Sequence, residues 1–308
     1  MKFANCFVIT SVLVAISATT MAQNEPADDS TGLPGDNFSL QGALAMFQKA
    51  GSPEEFEKLL NAADNHVNNL DLNEDGETDY IRVIDNSDKD VHAFALQAVV
   101  SEKESQDIAV IELERTGDTT AVAQIVGDED IYGEQVIVEP GDGDDGEDNA
   151  AINPGDAGIT HGPAEGGYQF YAPRVIVNVW FWPSVRFIYA PAYRPWISPW
   201  RWRHYPGWWR PWRPLGWHAW HPFHRPYYRG FAVVHTHRVL RAQAIYRPVR
   251  VSSVTVRNRH ATAVNGYRVS RTRTTVTGPR GHQATRTTTT VRGRGGKVKA
   301  RTTRVRRR

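Results

Sequence analysis

The residues best suited to chemistry are five oxygen donors at alternate positions of one short segment. They are Asp71, Asn73, Asp75, Glu77 and Asp79. Gly76 permits a sharp turn, so the side chains of the segment can point inward while Glu77 offers its backbone carbonyl. Hard cations such as Ca²⁺ bind roughly six to eight oxygens in loops of this kind. The sequence therefore predicts a structural calcium site, and the alternative is an acidic turn that binds no ion.

Residues 71–79 match the pattern D-x-N-x-D-G-x-x-D, which resembles the calcium loops of EF-hands, dockerins and integrin-type propeller repeats. An EF-hand loop would place a bidentate Glu at its twelfth position, and this chain has Arg82 there. The residues from Tyr80 to Val83 are typical of a strand. We therefore expect a loop that enters a strand, and the single copy implies no propeller.

Three histidines, His218, His221 and His224, recur at every third position. Such spacing can bind Zn, Cu or Ni. No neighbouring carboxylate or thiolate is available to complete or orient the ligands, and the surrounding arginines repel cations. Transition-metal binding is thus the weakest of the site hypotheses, and the alternative is polar side chains within an aromatic segment.

Arginine and tryptophan alternate between prolines over residues 199–214. Arginine makes bidentate contacts with phosphate, and tryptophan lies at membrane interfaces or stacks on sugars and bases. The composition resembles that of Trp/Arg/Pro-rich antimicrobial peptides. The expected partner is an anionic envelope surface (lipopolysaccharide or phospholipid) or an acidic polysaccharide, with nucleic acid less favoured. The predicted contact residues are Trp200, Arg201, Trp202, Arg203, Trp208, Trp209, Arg210, Trp212 and Arg213.

The charges of the chain are completely segregated. Residues 23–168 contain all 34 acidic residues against six basic ones, a formal charge of −28, whereas residues 169–308 contain 29 basic residues and no acidic one. The acidic and basic halves could neutralise each other, within one molecule or between copies. In that case the basic half would need no outside partner.

The sequence favours a non-enzymatic protein. It lacks the G-x-S-x-G, H-E-x-x-H and phosphate-loop patterns, and its single cysteine is Cys6. The basic half has no carboxylate for acid–base chemistry. In the acidic half His92 lies on a predicted strand, where one position in two is expected to face solvent.

Helical and then strand periodicity predicts the elements that position these residues. Leu40, Leu44 and Phe47 predict a helix that Gly51 ends, and Ser52 and Pro53 begin a second one. The predicted strands that follow are 80–84, 91–100, 108–115, 121–126 and 135–138. Further strand-like stretches are 175–182, 185–189, 251–257 and 272–277.

The predicted fold class is α+β, a helical hairpin plus an antiparallel β-meander, followed by a linker and a largely irregular tail with at most short hairpins. The expected domains are a signal peptide (1–22), a disordered leader (23–37), an acidic α+β domain (38–139), an acidic Gly/Asp linker (140–168), a Trp/Arg/Pro/His-rich segment (169–230) and a basic Thr/Val/Arg-rich tail (231–308).

Four segments, 38–44, 52–60, 127–135 and 198–204, resemble a group of exported envelope proteins from Gram-negative bacteria of the Bacteroidota type. The resemblance implies export, to the periplasm or cell surface, and implies no activity. The leading hypothesis is a non-enzymatic envelope protein with a calcium-stabilised acidic domain and a polycationic aromatic tail that adheres to an anionic surface. The alternatives are self-association through acidic heads and basic tails and, more distantly, metal binding by the histidines.

Overall fold

The computed structural model describes residues 30–141, 176–234 and 236–267, together with the strands at 270–277, 283–292 and 298–307. Helices and antiparallel sheets occur together, which confirms the predicted α+β class. The predicted signal peptide, the first part of the leader and nearly all of the acidic linker lie outside the described residues.

The predicted helical hairpin is present. Helix α1 (Leu40–Lys49) begins after Ser39, whose hydroxyl accepts a hydrogen bond from the Gly42 N–H at 3.0 Å. Helix α2 (Pro53–Leu60) begins after Ser52, which caps the Glu55 N–H at 3.1 Å. Each capping hydroxyl satisfies an N–H that has no partner within its own helix.

Six strands form one antiparallel sheet in the order β1-β2-β3-β4-β5-β6. The first five are the predicted meander: β1 (Ile81–Asp88), β2 (Val91–Val99), β3 (Ser105–Gly117), β4 (Thr120–Gly127) and β5 (Val136–Pro140). The sixth, β6 (Phe231–Val234), comes from the basic half and pairs antiparallel with β5. Strand β6 was not among the predicted strands, because four residues give too short a pattern to identify a partner strand.

Both faces of the sheet are covered. On one face the α1–α2 hairpin packs on apolar side chains such as Phe94 and Ile111. On the other face α7 (Leu240–Tyr246) packs its Ala242 and Tyr246 against Val91, Ala93 and Val110. Strand β2 is consequently buried at every position, so the expectation that one of its faces meets solvent was wrong.

The remaining helices also differ from the expectation of a largely irregular tail. In the tail they are α4 (Pro183–Ile188), α5 (Trp217–Trp220), α6 (Arg225–Tyr228) and α8 (Val254–Tyr267), whereas α3 (Glu129–Tyr132) lies between β4 and β5 in the acidic domain. Stretches 185–189 and 251–257 were predicted as strands and lie largely in α4 and α8. In α4 the reason is Pro183, whose fixed φ suits the first helical turn.

Strands β7 (Ser270–Thr277), β8 (Gln283–Arg292) and β9 (Val298–Arg307) form a separate three-stranded antiparallel sheet. The predicted strand at 272–277 lies within β7. The Thr/Arg alternation of this region therefore corresponds to strand pairing.

Residues 30–37, predicted as part of a disordered leader, have a defined conformation. A 3₁₀ turn spans Pro34–Asn37, and the buried Asp36 accepts hydrogen bonds from Ser30, Thr31 and the Gly32 N–H. Burial raises the pKa of Asp36 to about 6, although these donors oppose the shift. The prediction was wrong here because one buried carboxylate organises a polar, glycine-containing segment.

Candidate functional site: an arginine and tryptophan ribbon along a sheet edge

Residues 193–215, which we name the edge ribbon, run beside the outer edge of β1 and the loop before it. Ile197 forms an antiparallel bridge with Ile84, and the Asp85 N–H donates to the Trp196 carbonyl at 2.7 Å. Farther along, the Thr78 N–H donates to the Trp212 carbonyl at 2.8 Å. An edge strand exposes unpaired backbone groups, and the ribbon satisfies several of them.

The buried carboxylate of Glu57 fixes the ribbon to the acidic domain. It accepts hydrogen bonds from Tyr80 Oη (2.8 Å) and the Val83 N–H (2.9 Å) on one side. From the ribbon it accepts bonds from Ser198 Oγ (2.8 Å) and Trp196 Nε1 (3.2 Å). Burial raises the pKa of Glu57, while the four donors favour its charged form. The carboxylate thus joins helix α2, strand β1 and the ribbon.

The predicted arginines of the ribbon, Arg201, Arg203, Arg210 and Arg213, are all exposed. Arg201 and Arg203 lie on a tight turn, because Arg201 and His204 exchange backbone hydrogen bonds of 3.2 and 2.8 Å. Among the residues that the structure describes, none of the four is within ion-pair distance of a carboxylate. Their charges therefore face solvent without compensation from the described carboxylates.

The predicted tryptophans have unequal access to solvent. Trp208 is 48% exposed, and Trp200, Trp202 and Trp212 are half-buried. Trp209 is only 3% exposed, since it packs edge-on against Tyr80 with ring centroids 5.0 Å apart. Trp209 is therefore a packing residue of this edge, and four of the five predicted tryptophans contribute surface.

A second basic region, residues 236–267, behaves in the opposite way, and we name it the clamp. Five of its six arginines, together with His237, pair with carboxylates of the acidic domain, largely on the sheet face that α7 covers. The pairs are His237–Glu112, Arg238–Glu139 (3.0 Å), Arg241–Glu114 (2.9 Å), Arg250–Asp128, Arg250–Asp130 (2.8 Å), Arg257–Asp130 (3.8 Å) and Arg259–Glu74 (3.4 Å). Neutralisation within one molecule is thus a property of the clamp.

Among these side chains, Arg250 forms hydrogen bonds with two carboxylates at once. Its Nη2 donates to Asp128 Oδ1 at 2.7 Å and to Asp130 Oδ2 at 2.8 Å. Hydrogen bonding to Asp128 raises the pKa of Arg250, and burial raises the pKa of Asp128 to about 6 against the opposing effect of the guanidinium. Nearby, Tyr246 Oη and the Val251 N–H both donate to Asp107 Oδ2 at 2.8 Å.

The predicted calcium loop has the expected internal turns. Asp71 accepts hydrogen bonds from the N–H groups of Asp75 (3.1 Å) and Gly76 (2.9 Å), and Asp75 accepts one from the Glu77 N–H (2.9 Å). Gly76 has a φ of 85°, a conformation that favours glycine. The loop leads into β1, as the sequence predicted. The guanidinium of Arg82 donates to Gln97 and to the Trp200 carbonyl.

The donor chemistry of the loop fits a hard cation. The buried Asp79 accepts one hydrogen bond, from the Leu72 N–H at 2.6 Å. Burial, with smaller effects from Asp71 and Asp75, raises the pKa of Asp79 to about 8. Within the described ranges, however, no three His, Cys, Asp or Glu side chains are grouped so that they could hold a metal ion. The same loop also contains the Asn73 amide oxygen and the Glu77 backbone carbonyl as possible oxygen donors.

Both basic regions contact the calcium loop. The edge ribbon holds Thr78 through the Trp212 carbonyl, which also accepts from Thr78 Oγ1 at 2.9 Å. The clamp reaches the other side, where Arg259 donates to the Leu72 carbonyl at 2.9 Å and pairs with Glu74. Motion of the loop would therefore affect both regions.

The three predicted metal-binding histidines do not have equivalent positions. His218 is exposed, whereas His224 is buried and its Nε2 has no hydrogen-bond partner. The ring centroids of His221 and His224 are 6.2 Å apart, and His66 of the acidic domain stacks on Phe223 at 3.7 Å. Burial, together with the nearby His221 and His66, lowers the pKa of His224 to about 3.

Two further histidine–carboxylate pairs are buried. His92 is 4% exposed, and its Nδ1 lies 2.9 Å from Asp85 Oδ2, to which Tyr193 Oη also donates at 2.7 Å. The other pair is His237–Glu112, where Gln243 contacts the second ring nitrogen of His237 at 2.8 Å. The His237–Glu112 pair joins the clamp to the sheet, and the Tyr193 hydroxyl joins the ribbon to the His92–Asp85 pair.

Sequence reasoning missed the structural residues of this arrangement, chiefly Glu57, Asp107 and Arg250. One signal was available: the predicted strands 108–115 and 121–126 carry Glu112 and Gln124 among apolar neighbours, and Asp107 directly precedes the first of them. Buried polar groups need partners, so these positions indicated a polar cover for the sheet.

None of the helices in the described ranges is long and apolar enough to cross a bilayer. No protein-family model, curated protein or solved structure matches the chain.

Proposed function

We propose that this chain is a non-enzymatic exported protein of the cell envelope that adheres to anionic surfaces through the edge ribbon. The observation that carries the proposal is the set of exposed arginines, Arg201, Arg203, Arg210 and Arg213, without ion pairs to described carboxylates and beside partly exposed tryptophans. Arginine and tryptophan together suit headgroups that carry phosphate or other anionic groups.

The contrast with the clamp supports this reading. If the basic half served only to neutralise the acidic half, its arginines would pair with carboxylates throughout. Five of the six clamp arginines do so, the exception being the exposed Arg247, and none of the ribbon arginines pairs with a described carboxylate. Placement in the envelope, at the periplasm or cell surface, rests on the sequence resemblance and the apolar N-terminal segment.

The test is co-sedimentation of the chain lacking residues 1–22 with vesicles that contain phosphatidylglycerol, at low and moderate salt. We expect binding that weakens as salt rises, because exposed charges are screened within about 10 Å at 0.1 M salt. Replacing Arg201, Arg203 and Arg213 with glutamine should abolish most of the binding.

The matched control replaces three exposed lysines of the acidic domain, Lys49, Lys89 and Lys103, with glutamine. Both triple variants lose the same formal charge. Equal loss of binding in the two would indicate a net-charge effect and refute a defined ribbon surface. Sedimentation without vesicles would instead favour self-association between acidic and basic regions of different copies.

We also propose that Ca²⁺ binds the loop of Asp71, Asn73, Asp75, Glu77 and Asp79 and stabilises the acidic domain. The donor set supports this, since three carboxylates, an amide and a backbone carbonyl occupy nine consecutive residues. The bound ion would offset the repulsion among the carboxylates. Because the clamp and the ribbon both contact the loop, stabilisation would extend to them.

Thermal unfolding with excess Ca²⁺ and with EDTA tests this second proposal. A ligand present at a hundred times its Kd stabilises the folded state by about 2.7 kcal/mol. We expect Asp75→Asn to remove the calcium-dependent increase in Tm, and Glu102→Gln, at another exposed acidic position, to retain it. An unchanged Tm in EDTA would exclude the structural calcium site.

A further inference from the structure

Among the residues that the structure describes, the exposed large apolar side chains lie in the basic half. In the described residues every exposed large hydrophobic side chain lies between 176 and 254, and residues 30–141 have none. Three of them belong to the edge ribbon: Ile197 is 68% exposed, Trp208 48% and Leu215 40%. The surface that carries the uncompensated arginines is therefore also an apolar surface.

The fold holds these side chains in place. Ile197 is fixed by its bridge to Ile84, and Leu215 by two hydrogen bonds with the Asn69 side chain, of 2.8 and 3.0 Å. Trp208 lies beside Tyr80, with ring centroids 6.4 Å apart, and Lys58 Nζ lies 5.7 Å from its centroid. All three positions thus follow the same edge, from β1 to the loop before it.

Arginines are interleaved with these apolar residues along the whole ribbon. Arg194 precedes Ile197, Arg201 and Arg203 lie between Ile197 and Trp208, and Arg210 and Arg213 lie between Trp208 and Leu215. All five are exposed, and none pairs with a described carboxylate. The ribbon therefore alternates cationic and apolar surface at intervals of two to five residues.

This alternation distinguishes between anionic partners. A soluble acidic polysaccharide offers anions and hydroxyls, and it cannot remove isoleucine and leucine side chains from water. A bilayer interface offers phosphate to arginine, an interfacial position to tryptophan, and an acyl region to aliphatic side chains. Burial of apolar area and attraction to anionic headgroups add together at such a surface.

We infer that the edge ribbon is a peripheral membrane-binding surface, with Ile197, Trp208 and Leu215 in the acyl boundary of an anionic phospholipid bilayer and the arginines at its phosphates. This inference rests on the proposed adhesion function and assigns its partner as lipid. Acidic polysaccharide and a second copy of the chain become outcomes of the test.

The experiment compares two probes: vesicles of phosphatidylcholine and phosphatidylglycerol, and soluble dextran sulfate. Ile197→Ser combined with Leu215→Ser should weaken vesicle binding at least about tenfold and change dextran sulfate binding less than about twofold, because only the vesicle removes these side chains from water. The matched control is Leu240→Ser with Val249→Ser, two similarly exposed apolar residues of the clamp, which should bind vesicles normally.

A direct readout uses a single cysteine, since the only native cysteine, Cys6, precedes residue 23. An environment-sensitive dye on Ile197→Cys should shift to shorter wavelength when vesicles are added, whereas the dye on Leu240→Cys should not. A dye shift that follows protein concentration without vesicles would assign the surface to a second copy and overturn the inference.

The two levels of the proposal fail in different ways. If the arginine triple variant loses vesicle binding while the apolar double variant keeps it, the lipid assignment is wrong and anionic adhesion stands. If the unmodified chain binds neither vesicles nor dextran sulfate, the adhesion function itself is wrong. Circular dichroism and Tm of each variant establish that it is folded before binding is compared.

Discussion

The clamp and the edge ribbon are two stretches of the same polycationic half, and they treat their charge in opposite ways. Clamp side chains such as Arg238 and Arg250 pair with buried carboxylates of the sheet. Ribbon side chains such as Arg201 and Arg213 face solvent, and the ribbon attaches through its backbone and through neutral donors to Glu57. The net charge of a basic segment therefore does not reveal its role. The role depends on whether its arginines pair with carboxylates of the same chain.

The difference also indicates which arginines contribute to the stability of the fold. A cation paired with a buried carboxylate cannot be removed without leaving a buried charge, whereas an exposed arginine costs little to remove. We therefore expect clamp substitutions to lower stability and ribbon substitutions to lower binding.

The largest effect is expected at Glu57, the buried carboxylate to which Trp196 and Ser198 of the ribbon donate. Glu57→Ala leaves the donors of Tyr80, Val83 and Ser198 unpaired in a buried site, and should cost about 3 kcal/mol or more. Urea unfolding measures this cost. Limited trypsin digestion should also show faster cleavage at ribbon arginines, because the ribbon loses its attachment.

The control for this variant lies on the same helix. Glu54 is exposed, so Glu54→Ala should change the free energy of unfolding by no more than about 0.5 kcal/mol. Equal effects of the two substitutions would show that the ribbon does not depend on the buried carboxylate.

The next effect is expected at Arg250. Arg250→Ala leaves Asp128 largely buried without its cation and should destabilise the chain by about 2–3 kcal/mol, less than for a fully buried pair because Arg250 is partly exposed. Arg213→Ala removes the same charge from the ribbon and should stay within about 0.5 kcal/mol. If urea unfolding showed comparable losses of stability for the two variants, the clamp and the ribbon would not differ in their contribution to stability.

Low pH should destabilise the segment that contains His224, which lies between the edge ribbon and the clamp. The folded state lowers the pKa of His224 to about 3, below the ordinary value of about 6.5. As pH falls below 6.5 the unfolded chain binds a proton that the folded chain does not, so stability is lost by up to about 1.4 kcal/mol per pH unit.

His224→Phe removes this titration and isolates its effect. The difference in free energy of unfolding between wild type and variant should move in favour of the variant by about 2 kcal/mol between pH 7 and pH 5. A difference that stays constant over this range would mean that the folded state does not lower the pKa of His224.

The smallest effect on stability is expected where the effect on binding is largest. The glutamine variant of Arg201, Arg203 and Arg213 should unfold within about 1 kcal/mol of wild type, because exposed side chains without ion pairs contribute little. A markedly larger loss in urea unfolding would place these arginines among the structural residues and remove the ribbon as a binding surface.

Periodicity was sufficient for the elements of the acidic domain. The α1–α2 hairpin follows from the caps at Ser39 and Ser52, and the first five strands follow from alternation, because both signals depend on neighbouring residues. Periodicity failed at 251–257, where alternating Val and Thr form part of helix α8. There the environment of the acidic domain overrides a weak strand preference.

The candidate site was only partly predictable, because contacts between residues that are distant in the sequence decide part of it. The composition of the ribbon identified its arginines, since exposure of a charged residue is the default. Composition could not separate Trp209, which is buried, from Trp208, which is exposed, because only Trp209 packs closely against both Tyr80 and Tyr205, with ring centroids 5.0 and 4.7 Å apart. The loop at Asp71 was predicted as a local turn, and its contacts with Arg259 and Trp212 were not.

The sequence by itself determined the segregation of charge, the helical hairpin, the meander and the loop that leads into β1, since each depends on residue type or on short spacing. Only the tertiary structure decided that one basic stretch covers the polar face of the sheet and another lines its edge. The reason is physical: buried carboxylates such as Asp107 and Asp128 require donors, and the residues that supply them lie more than a hundred positions away in the chain.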